Sequence, residues 1–114
     1  MSIQTRQQLH SPSRATLYVG GRLDAAAAPA LRDQIQTLIK GGHKELILSL
    51  DGLDFMDSSG LGELSAGLKL ARQAGGTLKL AGLSERVLSV LRLANLDRTF
   101  EIHSSAEAAL ASFS

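Results

Sequence analysis

The chain has 114 residues, with 12 Lys and Arg against 11 Asp and Glu, a formal net charge of +1 and 44% apolar side chains. That length suits one domain, and the scattered, nearly balanced charge offers no basic block for a row of nucleic-acid phosphates. The absence of cysteine excludes disulfides, zinc thiolate sites and thiol nucleophiles.

Aromatics are only 4% of the chain, so the expected core is aliphatic. The N-terminal stretch Met1 to Arg14 has no apolar h-region, and no apolar run approaches the ~20 residues of a membrane helix. The expectation is a soluble, unprocessed, cytoplasmic protein with no membrane insertion, folding as one unit over residues 1–114.

In chain order, Ile3 to Leu9 reads as an edge strand and Ser11-Pro12-Ser13 as a turn. Ala15, Leu17 and Val19 alternate with Thr16 and Tyr18, the period of a half-buried strand, and Gly20-Gly21 then lets the chain turn. From Pro29, suited to a helix's first turn, Leu31, Ile35, Leu38 and Ile39 trace one helical stripe that stops at Gly41-Gly42. Leu46, Ile47, Leu48 and Leu50 form a nearly unbroken apolar run, as expected of a central strand covered on both faces. A second helix is predicted from Ser58 to Ala74, ended by Gly75-Gly76, with Leu61, Leu64, Leu68 and Ala71 on one side. Thr77 to Ala81 alternates as a strand, Ser84 to Leu93 carries Val87, Leu88 and Leu91 at helical spacing, and Thr99 to His103 is a short strand. Ala106, Ala109, Leu110 and Phe113 mark a C-terminal helix. Strands alternating with helices imply parallel pairing through right-handed crossovers, and the N-terminal hairpin makes the sheet mixed. The fold class is α/β, a mixed, mostly parallel sheet of roughly four to five strands with about four helices.

The stretch Phe55-Met56-Asp57-Ser58-Ser59-Gly60-Leu61-Gly62 joins the central strand to the second helix, and open α/β sheets place their functional surfaces at such strand ends. The plain structural alternative is that Asp57 or Ser58 caps the helix by accepting a bond from a first-turn N–H. Against a purely structural helix start stand Gly60 and Gly62, each costing about 1 kcal/mol of helix propensity relative to Ala. Small residues there would open the backbone to an approaching partner.

Other chemistries fit poorly. Asp51, Asp54 and Asp57 lack the alternating ligands and glycine of a calcium loop. Ser58 has no nucleophile-elbow G-x-S-x-G context, no Walker-type loop is present, and His10, His43 and His103 fall in edge or loop segments where solvation is expected. Neither an enzyme nor a cofactor or metal site is indicated.

The run Leu48 to Gly62, together with Gly21-Arg22-Leu23-Asp24 and Gly82-Leu83-Ser84-Glu85-Arg86-Val87, resembles the anti-sigma factor antagonists of the STAS superfamily, in order and spacing over nearly the whole chain. The resemblance implies a single STAS domain. It also implies phosphorylation of Ser58 by an anti-sigma factor serine kinase, with ATP on the kinase side, and resetting by a metal-dependent serine phosphatase. The unphosphorylated form would bind the kinase and release a sigma factor. Two departures concern subfamily and partner: this chain has Ser49 and Asp51 where the family commonly has Asp and then Ser, and Ala27 where a capping Ser or Thr is common. The rival reading is a constitutive STAS subunit of a lipid-transport ABC complex or a stress-signalling scaffold. The expected partner surface comprises Leu23, Asp24, Asp57, Ser58, Ser59, Gly60, Leu61 and Gly62, brought together if the two strands preceding these loops are parallel.

Overall fold

The computed structural model describes residues 3–113. β1 (Ile3–Ser11) and β2 (Arg14–Leu23) form the expected hairpin, paired antiparallel from Ile3↔Gly21 to Ser11↔Arg14. α1 (Ala28–Lys40) crosses to β3 (Glu45–Met56), α2 (Ser58–Gln73) leads to β4 (Thr77–Ala81), and α3 (Glu85–Leu93) precedes β5 (Ile102–His103) and α4 (Ala106–Ala111). The sheet order is β1-β2-β3-β4-β5, with β2, β3, β4 and β5 parallel. This is the predicted mixed α/β architecture, with five strands and four helices among the described residues.

Alternation sorts the strand residues between the two faces. Ala15, Leu17 and Val19 of β2, Leu46, Leu48 and Leu50 of β3, and Leu78 and Leu80 of β4 form one core with Leu31, Ile35 and Leu38 of α1, Leu64 and Leu68 of α2, and Val87 and Leu91 of α3. Among the described residues the other face is covered by α4, whose Ala109 meets Ile47 and Ala81. β3 is therefore buried on both sides along Leu46–Leu50, which is why its sequence is a continuous apolar run rather than an alternation.

Two expected elements change. Gly20-Gly21 is not a turn: β2 runs through both to Leu23, and its register against β3 shifts on either side of them. Gly21 has φ 89°, and a Cβ on Gly20 would lie 3.2 Å from the Gly52 carbonyl oxygen. The glycines let the strand bend while it stays paired. The last strand is only Ile102–His103, because Thr99 belongs to a turn and Phe100 is drawn into the main core. Smaller differences are the starts of α1 at Ala28 and of α3 at Glu85, the latter capped by Ser84 Oγ on the Val87 N–H at 3.2 Å.

The α4 face carries a polar cluster. Lys79, 6% exposed, meets Glu101 at 3.0 Å, donates to Ser112 Oγ at 2.6 Å and lies 3.9 Å from the centre of the Phe113 ring. His103 Nε2 lies 2.6 Å from the same Glu101 carboxylate. The hydrogen bonds from His103 and Lys79 hold the Glu101 carboxyl below its ordinary range. A carboxylate depressed in the folded state stabilises the fold above its unfolded pKa, and that contribution is lost as pH falls through the folded value. Glu101 is half exposed, so screening limits the effect to less than about 1 kcal/mol. Glu101→Gln should accordingly flatten the decline in stability as pH drops below about 4.3, as read by urea unfolding at several pH values, with little change in the fold.

Candidate functional site

Parallel pairing of β2 with β3 ends in register at Leu23↔Met56, so the loop after each strand leaves the same edge of the sheet. The Asp57 N–H donates to the Leu23 carbonyl at 3.3 Å, extending the ladder one step past the strands. The Asp24 loop and the start of α2 are thus neighbours, as the parallel arrangement required.

The question of which residue caps α2 is answered by Asp57. It has extended backbone, and its Oδ1 accepts the Ser59 N–H at 2.9 Å and the Gly60 N–H at 3.4 Å. Such a cap is worth about 1 kcal/mol. Ser58 is the first helical residue and is exposed, whereas Ser59 is half-buried. Ser58 is therefore relieved of the capping role and presents its hydroxyl at a helix N-terminus, where an anion is tolerated.

Asp24 organises the facing loop. Its carbonyl accepts the Ala27 and Ala28 N–H groups at 3.1 and 2.9 Å, and its Oδ1 accepts Ala27 N–H at 3.1 Å. Ala27 itself makes no side-chain cap; the Asp24 bonds close the turn that leads into α1, and the Ala30 N–H turns back to the Ala27 carbonyl at 3.0 Å. The second carboxylate oxygen lies 3.9 Å from Arg22 Nε, and the Arg22 guanidinium stacks 4.2 Å from the Phe55 ring centre. On the other flank Arg86 donates to the Asp54 carbonyl at 3.4 Å.

Not every expected contact residue reaches the surface. Leu23 is 0% exposed and Leu61 8%, so both support the loops from beneath. The reading of Gly60 as bare backbone for a partner is corrected: Gly60 is buried, and a Cβ there would sit 2.6 Å from Met56 Cγ and 2.8 Å from Leu23 Cγ. It is glycine because α2 lies directly on the ends of β2 and β3. Gly62 differs, being exposed, and a Cβ added there would meet nothing within 4 Å. It remains part of the candidate surface with Asp24, Asp57, Ser58 and Ser59. The histidines are not freely solvated either. His10 Nε2 is 2.8 Å from Thr16 Oγ1, His103 is engaged with Glu101, and all three are partly buried.

One residue of this region carried no signal in the sequence. Glu63, one turn into α2, is 7% exposed and is held by Arg32 of α1, whose Nε donates to both carboxylate oxygens at 3.1 Å and whose second guanidinium nitrogen also bonds Oε2. The hydrogen bond and charge of Glu63 hold the Arg32 guanidinium above its ordinary pKa. Two charged residues 31 positions apart show no periodic relationship, and only the helix crossing pairs them.

A five-stranded mixed sheet with its α/β crossovers, and an exposed serine at the helix start after the central strand, define a class of small α/β modules. The STAS domain model matches residues 3–109, and the chain belongs to the STAS domain family. Among its relatives is the anti-sigma-B factor antagonist of Bacillus subtilis (strain 168), 33% identical over 89 residues covering 78% of this chain and 81% of that protein. An anti-sigma factor antagonist from Mycobacterium paratuberculosis superposes with a TM-score of 0.86 at 25% identity, over 97% and 93% of the two chains. The anti-sigma factor antagonist SpoIIAA has the same fold in its unphosphorylated form, with TM-score 0.85, 22% identity and 96% of each chain covered. Its phosphorylated form, from Bacillus, gives TM-score 0.77 at 21% identity over 97% and 100%.

The two glycines make opposite predictions. Gly60→Ala should destabilise the domain by about 1–3 kcal/mol through overpacking, outweighing a propensity gain of about 1 kcal/mol. Gly62→Ala should stabilise it by up to about 1 kcal/mol. Thermal and urea unfolding of the two variants beside the parent checks both signs.

Proposed function

We propose that this chain is an anti-sigma factor antagonist and not an enzyme: unphosphorylated, it binds an anti-sigma factor serine kinase and frees a sigma factor, and phosphorylation of Ser58 ends that binding. The observation that carries the proposal is the division of labour at the α2 start, where Asp57 caps the helix and Ser58 stands exposed beside the Asp24 loop. The names of the relatives support it, as does the existence of SpoIIAA in both phosphorylation states.

In this reading the Ser58 hydroxyl oxygen attacks the γ-phosphoryl of ATP held by the kinase, ADP leaves, and the serine proton passes to a base on the kinase. The product carries about −1.5 to −2 charges beside the helix N-terminus, which tolerates them in the free protein. Against a docked kinase the same group is desolvated next to Asp57 without a matching cation, a cost of several kcal/mol, and each 1.4 kcal/mol is tenfold in affinity. A metal-dependent serine phosphatase would restore the binding form, and the location in this reading is the cytoplasm.

Incubation with the cognate kinase and ATP should add one phosphate, mapped to Ser58 by intact-mass and fragment mass spectrometry. Ser58→Ala should abolish the modification and keep kinase binding. Phosphorylation should weaken binding by at least about 100-fold, and Ser58→Asp should weaken it less, having one charge and a shorter reach. A phosphate on Ser59, or none with a verified kinase, would overturn the assignment, and the second result would favour a constitutive STAS subunit.

A further inference from the structure

Arg32 and Glu63 lie one turn into α1 and α2, just below the two loops of the site, and they form a bidentate, charge-assisted pair. Among the described residues no other side-chain hydrogen bond or ion pair joins these two helices. Further along α2 the helices touch closely at Gly67, where a Cβ would be 3.1 Å from Ile35 Cδ1 of α1 and 3.1 Å from Leu78 Cδ1 of β4. α2 is thus packed tightly at Gly67 and tied at Glu63, with Ser58 at its far end.

From this arrangement we infer that the Arg32–Glu63 pair is a positioning strut, which holds the N-terminal half of α2 against α1 and so fixes Ser58 relative to the Asp24 loop. The inference rests on the proposed role of Ser58. At ~1.5 Å per residue, Glu63 stands about 6 Å along the axis from Gly67 and Ser58 about 14 Å. A tilt about the Gly67 contact that moves Glu63 by about 1 Å would therefore move Ser58 by roughly 2 Å on the same lever. In-line phosphoryl transfer depends almost entirely on positioning, and misplacing a reacting group by about 1 Å can cost about 100-fold in rate.

The polar character of the strut suits this role. Glu63 is nearly buried while Arg32 remains half exposed, so removal of Arg32 leaves an unpaired carboxylate whose relief is to move toward water. That movement loosens the first turns of α2 and eases Gly60 and Leu61 off Leu23 and Met56, while Leu46–Leu50 of β3 stay buried. Asp57 is tied to Leu23 by one backbone bond, which holds the cap in the ladder while the first turn of α2 loosens around it.

The test uses the full chain with Arg32→Ala and the milder Arg32→Gln. Amide hydrogen exchange on the free protein should show faster exchange in the first turns of α2 and unchanged protection along Leu46–Leu50. In steady-state phosphorylation, kcat should fall about 10- to 100-fold with a smaller change in KM. Arg32→Lys, which keeps the charge and loses the fork, should fall between Arg32→Gln and the parent. Unchanged exchange at Ser59–Leu61 in both variants would overturn the strut, as would loss of protection throughout the β3 core in step with turnover, which marks a merely structural pair. A parent that takes no phosphate on Ser58 would sink the proposed function alone, since the exchange measurement on the free chain still decides whether the pair holds the helix start.

Discussion

The site depends on the parallel pairing of β2 with β3. A parallel pair sends both following loops off one edge, and the register that ends at Leu23↔Met56 sets them side by side. The Asp57 N–H bond to the Leu23 carbonyl carries this pairing into the α2 cap. Burial of β3 on both faces makes the strand a fixed reference, because a slip of one residue would exchange Leu46, Leu48 and Leu50 with Ile47 and Ser49. What positions Ser58 is therefore first the central strand, then the cap, and only then the helix that follows.

The α2 start separates two tasks that a single residue could otherwise share. Asp57 satisfies first-turn amides, and Ser58, one position on, is left without structural duty. Under the proposed function, a covalent change at Ser58 leaves the cap in place, so the domain need not refold to change what it binds. The close fit of Gly60 against Leu23 and Met56 reinforces this, since the helix start rests on core side chains rather than on the exposed hydroxyl. Under the proposed function the switch is a change in surface charge on a rigid base.

Much of this was legible in the sequence because period and punctuation report burial. The leucine stripes of α1 and α2, the apolar run of β3, and the Asp57-Ser58 boundary each announced themselves. Three features were hidden for different physical reasons. Gly20-Gly21 has the composition of a turn, but ladder pairing on both sides keeps β2 extended. Gly60 and Gly62 look alike in sequence, and only the third dimension shows that one faces Leu23 and the other solvent. The Arg32–Glu63 pair is non-local, so no window of sequence contains both partners.

Asp24 shows how far a loop's own structure limits what it can offer a partner. Its carbonyl and Oδ1 are committed to the amides of Ala27 and Ala28, which closes the turn that leads into α1. Among the described residues the remaining Oδ2 is countered only by Arg22 at 3.9 Å, a loose contact at the surface of the kind worth little in water. Arg22 has a competing attachment on the Phe55 ring, so a basic group from outside can take Oδ2 while Arg22 keeps its stacking. The loop is thereby rigid in its backbone and half-open in its charge, a combination that lets an incoming cation gain a charge-assisted bond without first undoing the start of α1.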